Sequence, residues 1–270
     1  MAQIIEKQQI APNIHSCTVT APEVANKTLP GQFIIVIPDE FCERIPITIS
    51  DWDKENGTIT FIFLEVGATT QRLAELKAGD SIYSFTGPLG KPFEINKFGT
   101  VALIGGCYGI GALYPAARAL KNIENKVIFY SEARSKFLLY WNEKLKEVSD
   151  EVRFATADGS LGFKGHAWDL LEKNLKNGFK PDLIIAVGCT FMMHRVSEVT
   201  RPYGIKTIIS MNSIMIDGTG MCGACRVVAD GKTKFACVDG PHFDGHKIDW
   251  DIVKSRRKSY FDEEIVSHER

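Results

Sequence analysis

The sequence predicts a small antiparallel β-barrel over residues 1–98, a doubly wound parallel-sheet α/β domain over 99–210, and a small cysteine-rich domain with a C-terminal helix over 211–270. Three observations carry that division. Short runs of β-branched and aromatic residues, each closed by Gly or Pro, fill the first part. Strand and helix patterns then alternate, as in a parallel sheet covered on both faces. Near the end, three of the seven cysteines crowd into one glycine-punctuated stretch. A chain of 270 residues suits two domains and an appendage, with ample core.

In the first part the strands are NIHSCTVTAP, GQFIIVIPD, TITFIFLEV and DSIYSFTGPLG, with Arg44-Ile45-Pro46-Ile47-Thr48-Ile49-Ser50 as another. So many short strands in one segment imply a barrel. One helix interrupts them, ATTQRLAELKAG, with Thr69 or Thr70 as the expected N-cap and Gly79 as its stop. Two features suggest a ligand. Arg44 and the Thr48 and Ser50 hydroxyls stand on or beside one strand. The run Leu64, Val66, Gly67, Ala68, Thr69, Thr70 turns from strand into helix, whose free N–H groups suit a pyrophosphate. Alone neither is specific, because a strand Thr is usually only a strand residue and most helix starts bind nothing.

The middle reads TVALIGG, GIGALYPAARALKN, KVIFYSEA, KFLLYWNEKLKEV, VRFATAD, HAWDLLEKNL, DLIIAVG, TFMMHRVSEVTRPY and IKTIISM, strand and helix by turns. In such sheets ligands bind beyond the carboxyl ends of the strands. The candidate loops are Gly105-Gly106-Cys107-Tyr108-Gly109-Ile110-Gly111, the turn at Glu132 and Arg134, Thr156 to Gly159, and Gly188-Cys189-Thr190. The first is glycine-rich like a dinucleotide loop but does not match G-x-G-x-x-G. Cys107 and Cys189 are expected to be small buried residues. A carboxylate at a strand end, such as Asp158, can accept both ribose hydroxyls of a nicotinamide nucleotide and would repel a 2′-phosphate. Glu132 acts in the same direction, while Arg134 and Lys136 leave the choice open. NAD(H) is therefore expected over NADP(H), with a plain turn role in ADGS as the alternative for Asp158.

The stretch Asp217-Gly218-Thr219-Gly220-Met221-Cys222-Gly223-Ala224-Cys225, followed by Cys237, brings sulfurs toward one centre, as iron–sulfur clusters and zinc sites require. Plant-type [2Fe–2S] proteins run C-x4-C-x2-C with a more distant fourth cysteine. Cys222 and Cys225 fit the last two places of that run, and Asp217 stands in the first. A carboxylate supplies the missing anionic ligand, so Asp217, Cys222, Cys225 and Cys237 are the expected [2Fe–2S] ligands. Structural zinc and unliganded thiols are the alternatives. His242 is close, yet no histidine has zinc spacing, and His242 and His246 are expected to be ordinary surface residues. A redox dithiol would leave Cys237 idle.

Charge and composition narrow the partners. With 32 basic against 33 acidic residues, neither nucleic acid nor an anionic membrane is favoured. The opening MAQIIEKQQIAPNIH has no sustained apolar core, so no signal peptide is expected. The most apolar stretch, VALIGGCYGIGALYPAARAL, is divided by its glycines and Pro115 into strand, loop and helix, not a membrane span. An odd cysteine count without an export signal points to a reducing, cytoplasmic compartment and not to a disulfide framework.

With barrel, nucleotide sheet and cysteine segment in this order, the chain resembles the ferredoxin-NADP reductase superfamily over roughly residues 1–210, specifically its branch with a C-terminal [2Fe–2S] domain. That branch includes the electron-transfer subunit of dihydroorotate dehydrogenase and the small subunit of NADH-dependent reduced ferredoxin:NADP oxidoreductase, also called sulfide dehydrogenase subunit beta. The matching words are PITIS, GATTQRL, GPLGKPF, LIGGCYGIGALYPAARAL, ARSKFLLY and ATADGSLGFKG. The resemblance implies FAD in the barrel, along Pro46, Ile47, Thr48 and Ile49, with Thr48 near the reactive edge of the isoalloxazine and Thr69 and Thr70 at the pyrophosphate. It implies NAD(H) over Gly105 to Gly111.

Two departures matter. The family's flavin-strand arginine lies three residues before the Ser/Thr, which here is Ile45, and Arg44 is one further back. A one-residue shift in a strand reverses the side chain's face, so a phosphate contact by Arg44 is left open. Gly188-Cys189-Thr190 replaces the family's Cys-Gly-Pro, so no catalytic task is assigned to Cys189. Dihydroorotate dehydrogenase subunits carry a cysteine where Asp217 stands, and an aspartate there is similar to the bifurcating transhydrogenase branch.

The resemblance thus implies an oxidoreductase subunit relaying electrons between NAD(H), FAD and [2Fe–2S], with no residue acting as general acid or base. It implies a heterodimer with a larger flavin and iron–sulfur subunit that bifurcates NADPH electrons to ferredoxin and NAD. The alternatives are a dihydroorotate dehydrogenase subunit, a free-standing flavin or ferredoxin reductase, and a zinc-binding scaffold. The tail KIDWDIVKSRRKSYFDEEIVSHER is expected to be helical, carrying Trp250, Ile252 and Tyr260 toward a partner or onto its own domain.

Overall fold

The computed structural model describes residues 2–259. They fall into two compact units. The first takes the chain up to Pro92, Ser213–Pro241 and the chain from Asp249; the second takes Phe93–Asn212 and His242–Ile248.

The first unit opens with β1 (Ala2–Ala11), β2 (Ile14–Thr20), α1 (Pro22–Lys27), β3 (Phe33–Ile37), β4 (Ile45–Asp53), β5 (Thr58–Leu64), α2 (Ala68–Glu75), β6 (Ser81–Ile82) and β7 (Ser84–Leu89). These seven strands pair antiparallel in the order β6-β1-β2-β5-β4-β3-β7. The end strands β6 and β7 are joined through Tyr83 alone, so the sheet rolls back on itself into the expected nearly closed barrel. Alternation fills it: Ile34, Val36, Ile47, Ile49, Ile59, Phe61 and Phe63 point into one buried core with Leu73 of α2. Pro46 and Thr48, on the other face of β4, stay half-exposed. Burying such aliphatic and aromatic side chains stabilises by about 1.5–3 kcal/mol each. β1 had no clear sequence signal, because only its ends are buried and Glu6 to Gln9 are polar.

The helix α2 departs from expectation at both ends. Its N-cap is Gly67, with neither threonine in that place. Thr70, at the third helical position, turns its hydroxyl back to accept from the Val66 and Gly67 N–H groups, both at 3.0 Å. The helix stops at Glu75, ahead of Gly79. There Lys7 reaches across from β1 and donates to the carbonyls of Ala74 and Leu76, which satisfies the helix end without a glycine.

The second unit carries β8 (Thr100–Gly106), α3 (Gly109–Asn122), β9 (Lys126–Ala133), α4 (Asn142–Glu147), β10 (Glu151–Thr156), β11 (Phe163–Lys164), α5 (Ala167–Lys176), β12 (Leu183–Val187), α6 (Thr190–Thr200) and β13 (Thr207–Ser210). The sheet order is β11-β10-β9-β8-β12-β13, all parallel, with one antiparallel edge strand added from the far end of the chain. β8 and β12 are neighbours in space although β9, β10 and β11 come between them in sequence. Their carboxyl ends therefore bound the topological switch point, where such sheets bind ligands.

Three local expectations are corrected here. Pro115 lies inside α3, where it removes one hydrogen bond, and the strand–helix division falls instead at Cys107 and Tyr108. The segment KFLLYWNEKLKEV is not one helix: a single 3₁₀ turn, Lys136–Leu138, is separated from the short α4 by Trp141 at φ 55°. Leu139 is extended and Trp141 left-handed, which interrupts the helical ladder, and between them the Tyr140 hydroxyl bonds to the glycine loop. β11 lacked a sequence signal because it is two residues long.

After β13 the chain returns to the first unit and forms the hairpin β14 (Arg226–Ala229) and β15 (Lys232–Phe235). It then supplies β16 (His242–Asp244), the antiparallel edge strand on β13, and α7 (Trp250–Arg257). His242 and His246 are not plain surface residues. His242 stacks on Phe93 with ring centroids 3.6 Å apart, and His246 bonds the Thr200 hydroxyl at 2.9 Å. The helix expected at the end is α7, which buries Trp250 and Val253 on its own unit and leaves Ile252 exposed. Tyr260 and the rest of that segment lie outside the described residues. Among the described residues no helix is long and apolar enough to cross a membrane.

Candidate functional site

The expected site residues gather into three places. In the barrel, the lead into β4 meets the turn into α2: the Glu43 N–H donates to the Thr69 hydroxyl at 3.3 Å. Gly67 faces open space, with nothing within 4 Å of where a Cβ would stand. Val66 and Ala68 beside it are exposed, and Leu64 is half-buried at the end of β5. The turn is thus shaped by Thr70 and left uncovered, as a helix N-terminus offered to an anion must be. Arg44 does not face this turn. Its Nε donates to the Ile216 carbonyl at 2.5 Å and its Nη2 to the Asp217 carbonyl at 3.5 Å.

In the second unit, the glycine loop after β8 is locked by packing. A Cβ on Gly109 would stand 1.9 Å from the Val187 carbonyl oxygen, so only glycine lets α3 abut the end of β12. Ile110 and Gly111 behind it are buried. Tyr140 spans the loop, its hydroxyl donating to the Cys107 carbonyl at 2.9 Å and accepting from Gly111 N–H at 3.0 Å. Tyr108 donates to the Gly188 carbonyl at 3.0 Å and accepts from the Asn212 amide at 3.1 Å, while Thr190 donates to Asn212 at 3.0 Å. Tyr140 and Asn212 are residues that sequence reasoning missed, and Tyr108 was named only as a member of the loop, without a role. Only Tyr108 carried a signal, its place inside the glycine run. Cys107 is half-buried at φ 54° and Cys189 is exposed, so neither is the buried filler expected. Gly105 and Gly106 complete the loop, packed against Ile110 and Met192 respectively.

The loops after β9 and β10 are laced together. Asp158 N–H donates to the Arg134 carbonyl at 3.1 Å, and the Asp158 carboxylate accepts from the Ser160 hydroxyl at 2.6 Å and N–H at 2.9 Å. Those bonds bring its pKa down to about 2, led by the Ser160 hydroxyl. Gly159 makes the turn at φ 77°. Glu132 is committed elsewhere: its carboxylate accepts from Ala167 N–H at 2.9 Å, at the start of α5, and pairs with His166 at 2.8 Å. Helix capping is therefore its visible task.

The cysteine segment, in the first unit, is arranged two by two. Cys225 and Cys237 sulfurs lie 3.3 Å apart, and the Cys237 N–H donates to the Cys225 sulfur at 3.4 Å. The Asp217 carboxylate accepts from Thr219 and Cys222 N–H groups, both at 3.0 Å, which lowers its pKa. Burial, reinforced by the neighbouring Cys225, raises the Cys237 thiol. Metal binding takes the protons of thiols placed in this way. Among the described residues, no three Cys, His, Asp or Glu side chains converge to hold one ion. Two pairs suit a two-iron cluster, with two donors for each iron, better than the single point a zinc ion needs.

Barrel, parallel nucleotide-type sheet and paired-cysteine loop together define a redox subunit built on the ferredoxin reductase plan. Residues 212–249, which hold all four expected ligands, match the family described as the iron–sulfur cluster binding domain of dihydroorotate dehydrogenase B. The dihydroorotate dehydrogenase B (NAD(+)) electron transfer subunit homolog of Thermotoga maritima is 42% identical over 99% of this chain and 94% of its own length. The dihydroorotate dehydrogenase B (NAD(+)) electron transfer subunit of Enterococcus faecalis is 32% identical over 92% and 97%. A chain in the solved structure of an NADH-dependent reduced ferredoxin-NADP oxidoreductase, described for its insights into flavin-based electron bifurcation, matches with a TM-score of 0.94. It is 41% identical, covering 100% of this chain and 97% of that one.

The chain belongs to the family of dihydroorotate dehydrogenase B electron transfer subunits and their homologs. It is an oxidoreductase subunit, and the expected cofactors, FAD, an iron–sulfur cluster and NAD(H), are those of its family and fold. A zinc-binding scaffold without redox chemistry is excluded with that membership.

Proposed function

We propose that this chain is the small subunit of a flavin-based electron-bifurcating NADH-dependent reduced ferredoxin:NADP oxidoreductase. It passes electrons between NAD(H), FAD and a [2Fe–2S] cluster and docks as a heterodimer on a larger flavin and iron–sulfur subunit, which deals with ferredoxin. The observation that carries this reading is Asp217, a carboxylate in the first ligand position, held in the loop by two backbone N–H groups at 3.0 Å. The near-complete match to a chain of that oxidoreductase supports it. An electron-transfer subunit of dihydroorotate dehydrogenase is the second reading, favoured by the names of the relatives.

The residue roles follow. Asp217, Cys222, Cys225 and Cys237 would hold the [2Fe–2S] cluster. The half-exposed Pro46 and Thr48 line the flavin strand, held by Ile47 and Ile49 buried behind them. Gly67 to Thr70 present the N-terminus of α2 to the flavin pyrophosphate. Gly105 to Gly111 form the floor for the nicotinamide nucleotide, and Asp158 takes its ribose hydroxyls, which selects NAD(H). When bound, a flavin accepts an electron pair from a nicotinamide and releases electrons singly to an iron–sulfur cluster, so the protein's part is distance, orientation and potential. No side chain here is required to move a proton.

The test is what co-purifies with the native protein under anaerobic conditions. A partner of glutamate-synthase type is expected; a partner of dihydroorotate dehydrogenase type would replace this reading with the second. The chain alone, given NADH, is expected to reduce neither ferredoxin nor NADP rapidly, and rapid turnover by the lone chain would reveal a free-standing reductase.

A further inference from the structure

Three guanidinium groups from three separate elements end on backbone carbonyls of the ligand loop. Arg44, just ahead of β4, holds the Ile216 carbonyl at 2.5 Å and reaches that of Asp217 at 3.5 Å. Arg226, the first residue of β14, donates to the Gly223 carbonyl at 2.9 Å. Arg256, in α7, donates to the Ala224 carbonyl at 2.8 Å. One arginine thus grips the loop at Asp217, and the other two grip the residues between Cys222 and Cys225. At Gly223, φ is +66°, and a Cβ would stand 3.0 Å from the Arg226 Nη1, so glycine there admits both the turn and the guanidinium.

What these arginines hold matters as much as where they are. Among the described residues none of the three is paired with a carboxylate, so each brings an uncompensated positive charge to the loop. The loop itself offers one carboxylate and three thiols, a donor set that becomes strongly negative when it binds iron. Adding an electron makes it more negative still. A fixed cation nearby stabilises the reduced form more than the oxidised one.

We propose that Arg44, Arg226 and Arg256 are positioning residues that clamp both halves of the cluster loop and raise the potential at which the cluster takes up an electron. This rests on the assignment of Asp217, Cys222, Cys225 and Cys237 as [2Fe–2S] ligands. Arg44 has an added consequence, because the next residue begins β4: the strand assigned to the flavin and the Asp217 ligand are tied by one side chain.

The full chain, prepared anaerobically with iron and flavin supplied, provides the test through iron and acid-labile sulfide content, the electron paramagnetic resonance spectrum of the reduced protein, and a redox titration. Arg44→Gln, Arg226→Gln and Arg256→Gln are each expected to shift the midpoint potential in the negative direction, and the triple variant further than any single one. Arg44→Gln is expected to change the resonance spectrum most, since Asp217 is the ligand it steadies. The Lys variants, which keep the charge, are expected to recover part of the potential but less of the spectrum. If a Gln variant loses its cluster, the Lys variant at that position decides: retention there supports the clamp, and equal loss there overturns the charge argument. Wild-type potential and spectrum in all three Gln variants would overturn the proposal alone. Wild-type protein without iron and sulfide would instead remove the ligand assignment beneath it.

Discussion

Two glycine-rich loops of this chain are proposed binding sites, and their glycines answer different demands. In the loop after β8, Gly109 is required by crowding, since any Cβ would enter the Val187 carbonyl. In the loop before β14, Gly223 is required by its left-handed backbone. The first loop is completed by the fold itself, with the buried Tyr140 hydroxyl bonded on both sides. The second is held at its backbone by arginines while its four donors stand in two pairs. A nucleotide floor can be finished before its ligand arrives, because its backbone N–H groups and close contacts are neutral. A cluster site cannot, because its thiols give up their protons as the metal binds.

The largest effect expected from this contrast is at Asp217. Asp217→Ala is expected to lose or destabilise the cluster, whereas Asp217→Cys keeps it with a changed potential; iron, sulfide and resonance measurements distinguish them. An unaltered cluster in the alanine variant would exclude ligation. The nucleotide loop is expected to respond through the whole fold. Gly109→Ala should lower unfolding stability by about 1–3 kcal/mol in denaturant titration, as overpacking does, and weaken NADH binding while leaving the cluster spectrum alone. By comparison Gly67→Ala, with open space before it, should stay within about 0.5 kcal/mol of wild type.

Smaller than the effect of Gly109→Ala is that of Tyr140→Phe, which leaves the Gly111 N–H and the Cys107 carbonyl without the hydroxyl. About 1–3 kcal/mol of stability is expected to go, nearer the lower figure, with a rise in KM for NADH greater than any fall in kcat. Smallest is Asp158→Asn, expected to narrow the preference for NADH over NADPH in KM ratios. Its carboxyl has a pKa of about 2, below the ordinary value, so its charge is present above the carboxylate range and is lost only as pH falls through that value. The contribution of Asp158 to NADH binding is therefore expected to be flat from about pH 5 to about pH 9, and a KM for NADH that titrates within that window would point to another group.

Much of this was legible in the residues. The alternation in β4 and the uninterrupted apolar runs of β8, β9 and β12 announce a half-exposed strand and a covered sheet, because side-chain period follows from backbone geometry. The close spacing of cysteines after residue 217 announces an iron–sulfur segment, which the match over residues 212–249 bears out, because ligands must share one short loop. Glu132 shows the limit. As a carboxylate after a strand it looked available to a ribose, yet it caps α5, a helix that begins 35 positions later. Arg44 was equally ambiguous, since nothing near it in sequence says that the Ile216 and Asp217 carbonyls will be its partners.

The sequence by itself determined the elements, the order of barrel, parallel sheet and cysteine segment, and the donor types, all of which depend on neighbours within a few residues. Tertiary structure alone decided that β16 leaves the cysteine segment to edge the parallel sheet on β13, that Tyr140 braces the glycine loop, and that three distant arginines meet at one loop. Those outcomes hang on contacts between residues far apart in the chain, and such partners are chosen by space and unmet hydrogen bonds, to which local pattern is blind.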